Sequence, residues 1–353
     1  MDRKFYLDLA AGGLRMPLGT DLLLRERDDP AAILVDGHRL GDVIVAAARR
    51  YRTPLALPLM DLTIEATALL GMLGVPPDRI PTFHFEQPPD EEAFARLDHA
   101  LPTYKDPRVQ ATVDAIARVA RQSDLLPMGM AIGPFSLMVK LARDPIPGVF
   151  LAGRGVPARK NPEVATIERV LELSTRVIEW SLRAQIAAGA KMVVICEPAA
   201  SNAYISPRQI AAGSDVFDRY VMHFNQRIKA LLDETGIDLF FHCCGEITDT
   251  VVRKFTELDP AVLSLGGSRK LWEDAALVPK TTVLFGNLPS KKFFSDNEIT
   301  RAEVERLSCE LIRAMCQADH PFILGSECDV LSVPGRHEVI LDKVNALLNA
   351  KCA

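Results

Sequence analysis

The chain has 353 residues, of which 48% are hydrophobic, and a formal net charge of −5. That length can bury a large core within one α/β barrel domain, and without a dense basic block nucleic acid is not expected as a partner. No apolar run reaches the roughly 18 residues a membrane span needs, and the opening Met1-Asp2-Arg3-Lys4-Phe5-Tyr6 leads into no signal-peptide run, so a cytoplasmic location is expected.

Residues 1–50 read as an N-terminal extension packing on the rest, a polar entry followed by a helix from Leu40 to Arg50. Pro54 to Leu59 is a first buried strand ending at Met60-Asp61, and Thr63 to Leu73 is a helix closed by Gly74. Pro81 to Phe85 is a weaker strand, followed by helices from Asp90 to about Leu101 and from Pro107 to Gln122. Pro127 to Ile132 is a strand leading into Gly133-Pro134-Phe135. The Pro- and Gly-rich stretch 143–160 reads as a mobile loop or a solvated connector.

A long helix from Pro162 to Ala188 precedes the strand Lys191 to Ile195, which ends in Cys196-Glu197-Pro198. Ser206-Pro207 has the form of a helix start, with the helix running on to about Glu234. Further strands are Asp238 to Phe241, Val262 to Leu265, Thr282 to Asn287 and Phe322 to Gly325. Thr300 and Glu303 have capping-box spacing, and His337 to Leu348 is a closing amphipathic helix. Eight strands alternating with helices imply a closed (β/α)8 TIM barrel, and no composition break divides residues 1–353 into further domains.

Asp61, Glu197, His242, Cys244, Asn287 and Cys328 all fall just past the end of a predicted strand, on the rim that carries chemistry in such barrels. His242 and Cys244 lie two apart, so their side chains point the same way, while Cys243 faces packing. Cys328 arrives from a second strand end. One imidazole and two thiolates suit zinc, and three protein ligands leave a coordination position open. Such a site is suited to binding a further thiol and keeping it a nucleophilic thiolate.

The alternative for each member of the trio is a packed core residue. Glu197 is a candidate fourth, displaceable ligand or orienting base, or else a salt-bridge or helix N-terminal carboxylate; Asp61 could orient a histidine or hold a substrate donor, or be a helix-start carboxylate. Lys291, Lys292, Arg269 and Lys270 could receive an anion or form a solvated face. Of the seven cysteines, Cys196 is expected to be buried, Cys309 and Cys316 to be core residues and Cys352 an inert tail thiol, with no disulfide framework.

From about residue 40 onward the chain resembles the uroporphyrinogen decarboxylase superfamily, in its cobalamin-related methyltransferase branch. Pro58-Leu59-Met60-Asp61 is similar to the segment holding the family's active-site aspartate, and Gly133-Pro134-Phe135-Ser136-Leu137 to its Gly-Pro-Phe-Thr-Leu element. Glu197-Pro198-Ala199-Ala200-Ser201 and the turn Gly286-Asn287 resemble two further shared blocks. The zinc-dependent methylcobalamin:coenzyme M methyltransferases carry a His-x-Cys pair and a distant Cys, which correspond to His242, Cys244 and Cys328. The porphyrinogen-gripping Arg-Gln-Ala-Gly-Arg motif of the decarboxylases is replaced by Gly12-Gly13-Leu14-Arg15-Met16.

The resemblance implies methyl transfer between a corrinoid, as methylcobalamin or on a corrinoid protein, and a thiol or tetrahydrofolate-type acceptor. Asp61 and Glu197 would be catalytic, Asn287 and Gly133 would line the cofactor site, and zinc would be the metal. A metal-independent decarboxylase and a corrinoid-binding accessory subunit with structural zinc are the competing expectations.

Overall fold

The computed structural model describes residues 2–352. Its strands are β1 Arg15–Leu18, β2 Leu55–Ala56, β3 Leu126–Ile132, β4 Met192–Cys196, β5 Asp238–Cys243, β6 Val262–Leu265, β7 Val283–Leu288 and β8 Phe322–Asp329. They lie parallel in the order β1-β8-β7-β6-β5-β4-β3-β2. Parallel neighbours need long crossovers, and helices supply them here, which makes the fold a (β/α)8 barrel.

Alternation along each strand feeds two cores. Met128, Met192, Val194, Phe240, Val262 and Phe285 fill the barrel interior. Val193, Ile195, Phe241, Leu263 and Leu284 pack outward against the helices. Burial on both faces explains why these strands read as nearly continuous apolar runs.

The barrel seam lies between β1 and β2, which share no ladder among the described residues. Pro17 in β1 has no N–H to offer, so it suits a strand paired on one side only. Side chains bridge the seam instead. Thr20 Oγ1 donates to the Leu57 carbonyl at 2.9 Å, the Tyr51 hydroxyl to Gly19 at 2.8 Å, and Thr53 Oγ1 to Met16 Sδ at 3.4 Å. The helix Arg3–Ala11 plugs the opposite, N-terminal mouth, where the buried Tyr6 donates to Asp238 Oδ2 at 2.7 Å.

The expected extension over residues 1–50 packs on the barrel and also supplies β1, which was not expected as a strand. Conversely, Pro81 to Phe85 is not a strand: it is a single 3₁₀ turn, Ile80–Thr82, with one isolated bridge from Phe85 to Ala142. The connector 143–160 contains the helix Pro145–Gly153, capped by Asp144. The expected helix Ser206 to Glu234 is broken. It stops after Pro207–Ala211, where Gly213 takes a positive φ of 85°, and resumes through a π-helical stretch, Asp218–Met222, into His223–Glu234. The capping box at Thr300 and Glu303 is present as read.

Two cysteine expectations also change. Cys309 and Cys352 are joined in a disulfide, which ties the C-terminal tail to the helix Arg301–Gln317. Cys316 is exposed on that helix rather than in the core. Seven residues make just short of two turns, so both positions border the buried stripe and only Cys309 is covered. No helix among the described residues is long and apolar enough to cross a membrane.

Candidate metal centre

Register places the centre. In the ladder of β4, β5 and β6, Cys196 sits beside His242 and His242 beside Ser264. Phe240 and His242 point inward while Phe241 and Cys243 point out, so Cys243 is buried in the outer core as expected. Cys244 follows at the mouth, one residue past the strand.

His242, Cys244 and Cys328 come together: their ligand atoms all lie within 4.8 Å of one another. The two sulfurs are 3.5 Å apart. His242 is buried, and its Nδ1 lies 2.9 Å from Ser264 Oγ. Its Nε2 is buried with no hydrogen-bond partner. With Nδ1–H directed at the serine, the Nε2 lone pair is left for a cation, the arrangement found when metal-bound histidines are oriented through their other nitrogen. The donor set of one imidazole and two sulfurs fits zinc.

The Cys328 thiol donates to the Cys244 sulfur. A hydrogen bond from Cys328 outweighs burial and holds Cys244 well below the usual thiol range. Cys328 moves the other way, raised by the bond it donates, by burial and by the charge on Cys244. A thiolate is thus already favoured at the place where a soft cation would bind.

A glycine wedge from the β6 loop sets the spacing. A Cβ on Gly266 would stand 2.6 Å from the Cys244 carbonyl oxygen, and one on Gly267 would stand 2.5 Å from Glu327 Oε2. Gly267 N–H donates to Glu327 Oε2 at 2.9 Å, fixing the residue before Cys328. Asn287 holds this wedge from the β7 side, its Nδ2 donating to the carbonyls of Gly266 at 2.7 Å and Arg269 at 2.9 Å. Expected as a cofactor-binding residue, Asn287 stands here as a support for the Cys244 loop.

Glu197 and Gly133 are placed differently from the trio. The Glu197 carboxylate is fully buried and accepts from Phe135 N–H at 3.0 Å, Ser136 N–H at 2.9 Å, Ser136 Oγ at 2.7 Å and Asn225 Nδ2 at 2.9 Å. It therefore clamps the N-terminus of the helix Pro134–Leu141, and no oxygen is spare for a metal. Burial raises its pKa against those bonds. Gly133 is small because Glu197 passes there: a Cβ would stand 2.2 Å from Glu197 Cγ. Asp61 accepts from Arg108 at 2.5 Å and from Thr63 N–H at 2.9 Å, so it begins the next turn and carries an ion pair. None of these three joins the cluster among the described residues.

Sequence reasoning passed over Ser264, Gly266, Gly267 and Glu327. Arg269 and Lys270 prove to be paired, with Asp249 and Asp274 and with Glu273 respectively.

A family model for uroporphyrinogen decarboxylase (URO-D) matches residues 36–350. The chain belongs to the uroporphyrinogen decarboxylase family. Among solved structures it is similar to a methyltransferase from Methanosarcina mazei, at 16% identity and a TM-score of 0.65, over 95% of this chain and 92% of that one. At that identity the likeness speaks for the shared fold. No curated protein matches the sequence.

Proposed function

We propose that this member of the family is a zinc-dependent methyltransferase that moves a methyl group between a corrinoid, free or on a partner protein, and a thiol or tetrahydrofolate-type acceptor. The observation that carries the reading is the buried, unpartnered Nε2 of His242 in a cluster with two half-buried cysteine sulfurs at the barrel mouth. A nitrogen lone pair buried without a partner is costly, and a cation would satisfy it. The Methanosarcina mazei neighbour, itself a methyltransferase, supports the same class of reaction.

His242, Cys244 and Cys328 would hold the zinc, which when bound lowers the pKa of a further thiol and keeps it nucleophilic at neutral pH. The chain's own contribution is placement. Ser264 fixes the imidazole, and the Gly266–Gly267 wedge with Asn287 fixes Cys244. Orienting two reactants at one mouth is worth several kcal/mol of barrier.

Metal content, followed by loss of the methyl group from methylcobalamin in the presence of candidate thiols or tetrahydrofolate, tests the proposal. Zinc near one per chain with acceptor-dependent demethylation is expected. Metal-free protein that releases carbon dioxide from uroporphyrinogen would replace this reading with the decarboxylase.

A further inference from the structure

Lys343 lies in the closing helix His337–Asn349 and is only 1% exposed, a burial that lysine tolerates only when its ammonium finds partners. Its Nζ donates to the Phe293 carbonyl at 2.9 Å and pairs with Asp296 Oδ1 at 2.9 Å. The Asp296 side chain is mostly exposed, so that ion pair contributes little. The bond shielded from water is the one to Phe293.

From there a series of hydrogen bonds runs to a metal ligand. Phe293 is fully buried, and its N–H donates to the Ser290 carbonyl at 3.1 Å, closing the 3₁₀ turn Ser290–Lys292 that follows β7. Ser290 is buried too, and its Oγ donates to the Cys328 carbonyl at 3.1 Å. The closing helix, the turn and β8 are thus joined in series, and the series ends on the backbone that carries the Cys328 sulfur.

The turn has little else of its own to hold it. Residues 289–300, between β7 and the helix Arg301–Gln317, are irregular apart from this turn. An apolar side chain at position 343 would fill the same space with no ammonium to desolvate, so the carbonyl it reaches is what the lysine serves. If the turn shifted, the Ser290 hydroxyl would shift with it, and Cys328 would lose the bond that fixes its backbone. A metal site depends on supports that hold its ligands to about 0.5 Å.

We propose that Lys343 is a positioning residue of the metal centre, acting through Phe293 and Ser290 on the backbone of Cys328. This rests on the reading that zinc binds at His242, Cys244 and Cys328. A lysine with only a structural role would affect stability and leave metal binding by the folded molecules unchanged.

The test measures zinc affinity by chelator competition in purified full-length protein, without substrate, and circular dichroism checks that each variant is folded. It compares the wild type with Lys343→Met, Ser290→Ala, the double variant and Asp296→Ala. Ser290→Ala is expected to bind zinc about tenfold more weakly, as is usual when a group supporting a metal ligand is lost. Lys343→Met, acting from further away, should cost about fivefold. In series, the double variant should lose about tenfold; independent effects would multiply to about fiftyfold. Asp296→Ala should leave the affinity unchanged. If Lys343→Met does not fold, Lys343→Gln replaces it in the cycle. A folded Lys343 variant with wild-type affinity, or a double variant with the full product of the two losses, overturns the inference and leaves the zinc site standing. A wild type that binds no zinc overturns both.

Discussion

Ser264 on β6 and His242 on β5 are register partners, and the serine oxygen lies 2.9 Å from the imidazole Nδ1. The pairing decides which nitrogen of the ring is free. It also follows directly from the parallel ladder, since residues in register on adjacent strands share a face of the barrel.

Ser264→Ala should therefore weaken the centre without removing a ligand. The ring would lose the bond that sets its tautomer and orientation, and zinc affinity should fall about tenfold. Chelator competition on folded protein checks this; an unchanged affinity would show that packing alone orients His242.

Gly266→Ala should act through the backbone. The new methyl group would collide with the Cys244 carbonyl, so the β5 loop must shift. Reduced zinc occupancy with a near-normal melting temperature is the expected outcome. If occupancy stays full, the wedge is not what fixes Cys244.

Glu197→Ala separates architecture from chemistry. It would strip the acceptor from two backbone N–H groups, Ser136 Oγ and Asn225 Nδ2, all of them buried. The expected cost is about 3 kcal/mol of stability, read from urea unfolding. Zinc bound per folded molecule should stay the same. A stable variant that loses its metal would return Glu197 to the site.

Glu65 predicts a pH signature. It is buried, with Ser181 Oγ donating to its Oε1 at 3.0 Å and Oε2 left without a partner. Burial, only partly countered by its hydrogen bonds, lifts its pKa from 4.5 to about 7. Within that window the folded protein keeps a proton that the unfolded chain has released. Stability therefore falls as pH rises through the window, and the loss is complete above it. The full cost is about 3 kcal/mol, at roughly 1.4 kcal/mol per pKa unit. Glu65→Gln should remove this component, gaining on the wild type at about pH 8 but not at about pH 4 in urea unfolding. Parallel pH profiles for the two proteins would contradict it.

The ligands could be read from the sequence because each ends an apolar strand and because His242 and Cys244 obey the two-residue period of a strand. Their supports could not. Ser264 looks like one polar residue in a buried strand, and only register shows that it stands beside His242. Gly266 and Gly267 look like ordinary loop glycines until Cys244 and Glu327 are seen packed against them. β1 was hidden for a different reason: four residues containing Pro17 do not resemble a barrel strand until β8 is present to pair with them. Glu197 shows the converse. Its position past β4 suited a catalytic rim, but the alternation of the strand turns it outward, toward the helix it clamps.

X-ray absorption at the zinc edge, on protein with and without an added acceptor thiol, tests the account most directly. Two sulfurs and one imidazole nitrogen from the protein are expected, with a third sulfur neighbour gained when the thiol is added. A centre already closed by four protein ligands and indifferent to thiol, or a protein that takes up no zinc, would contradict it.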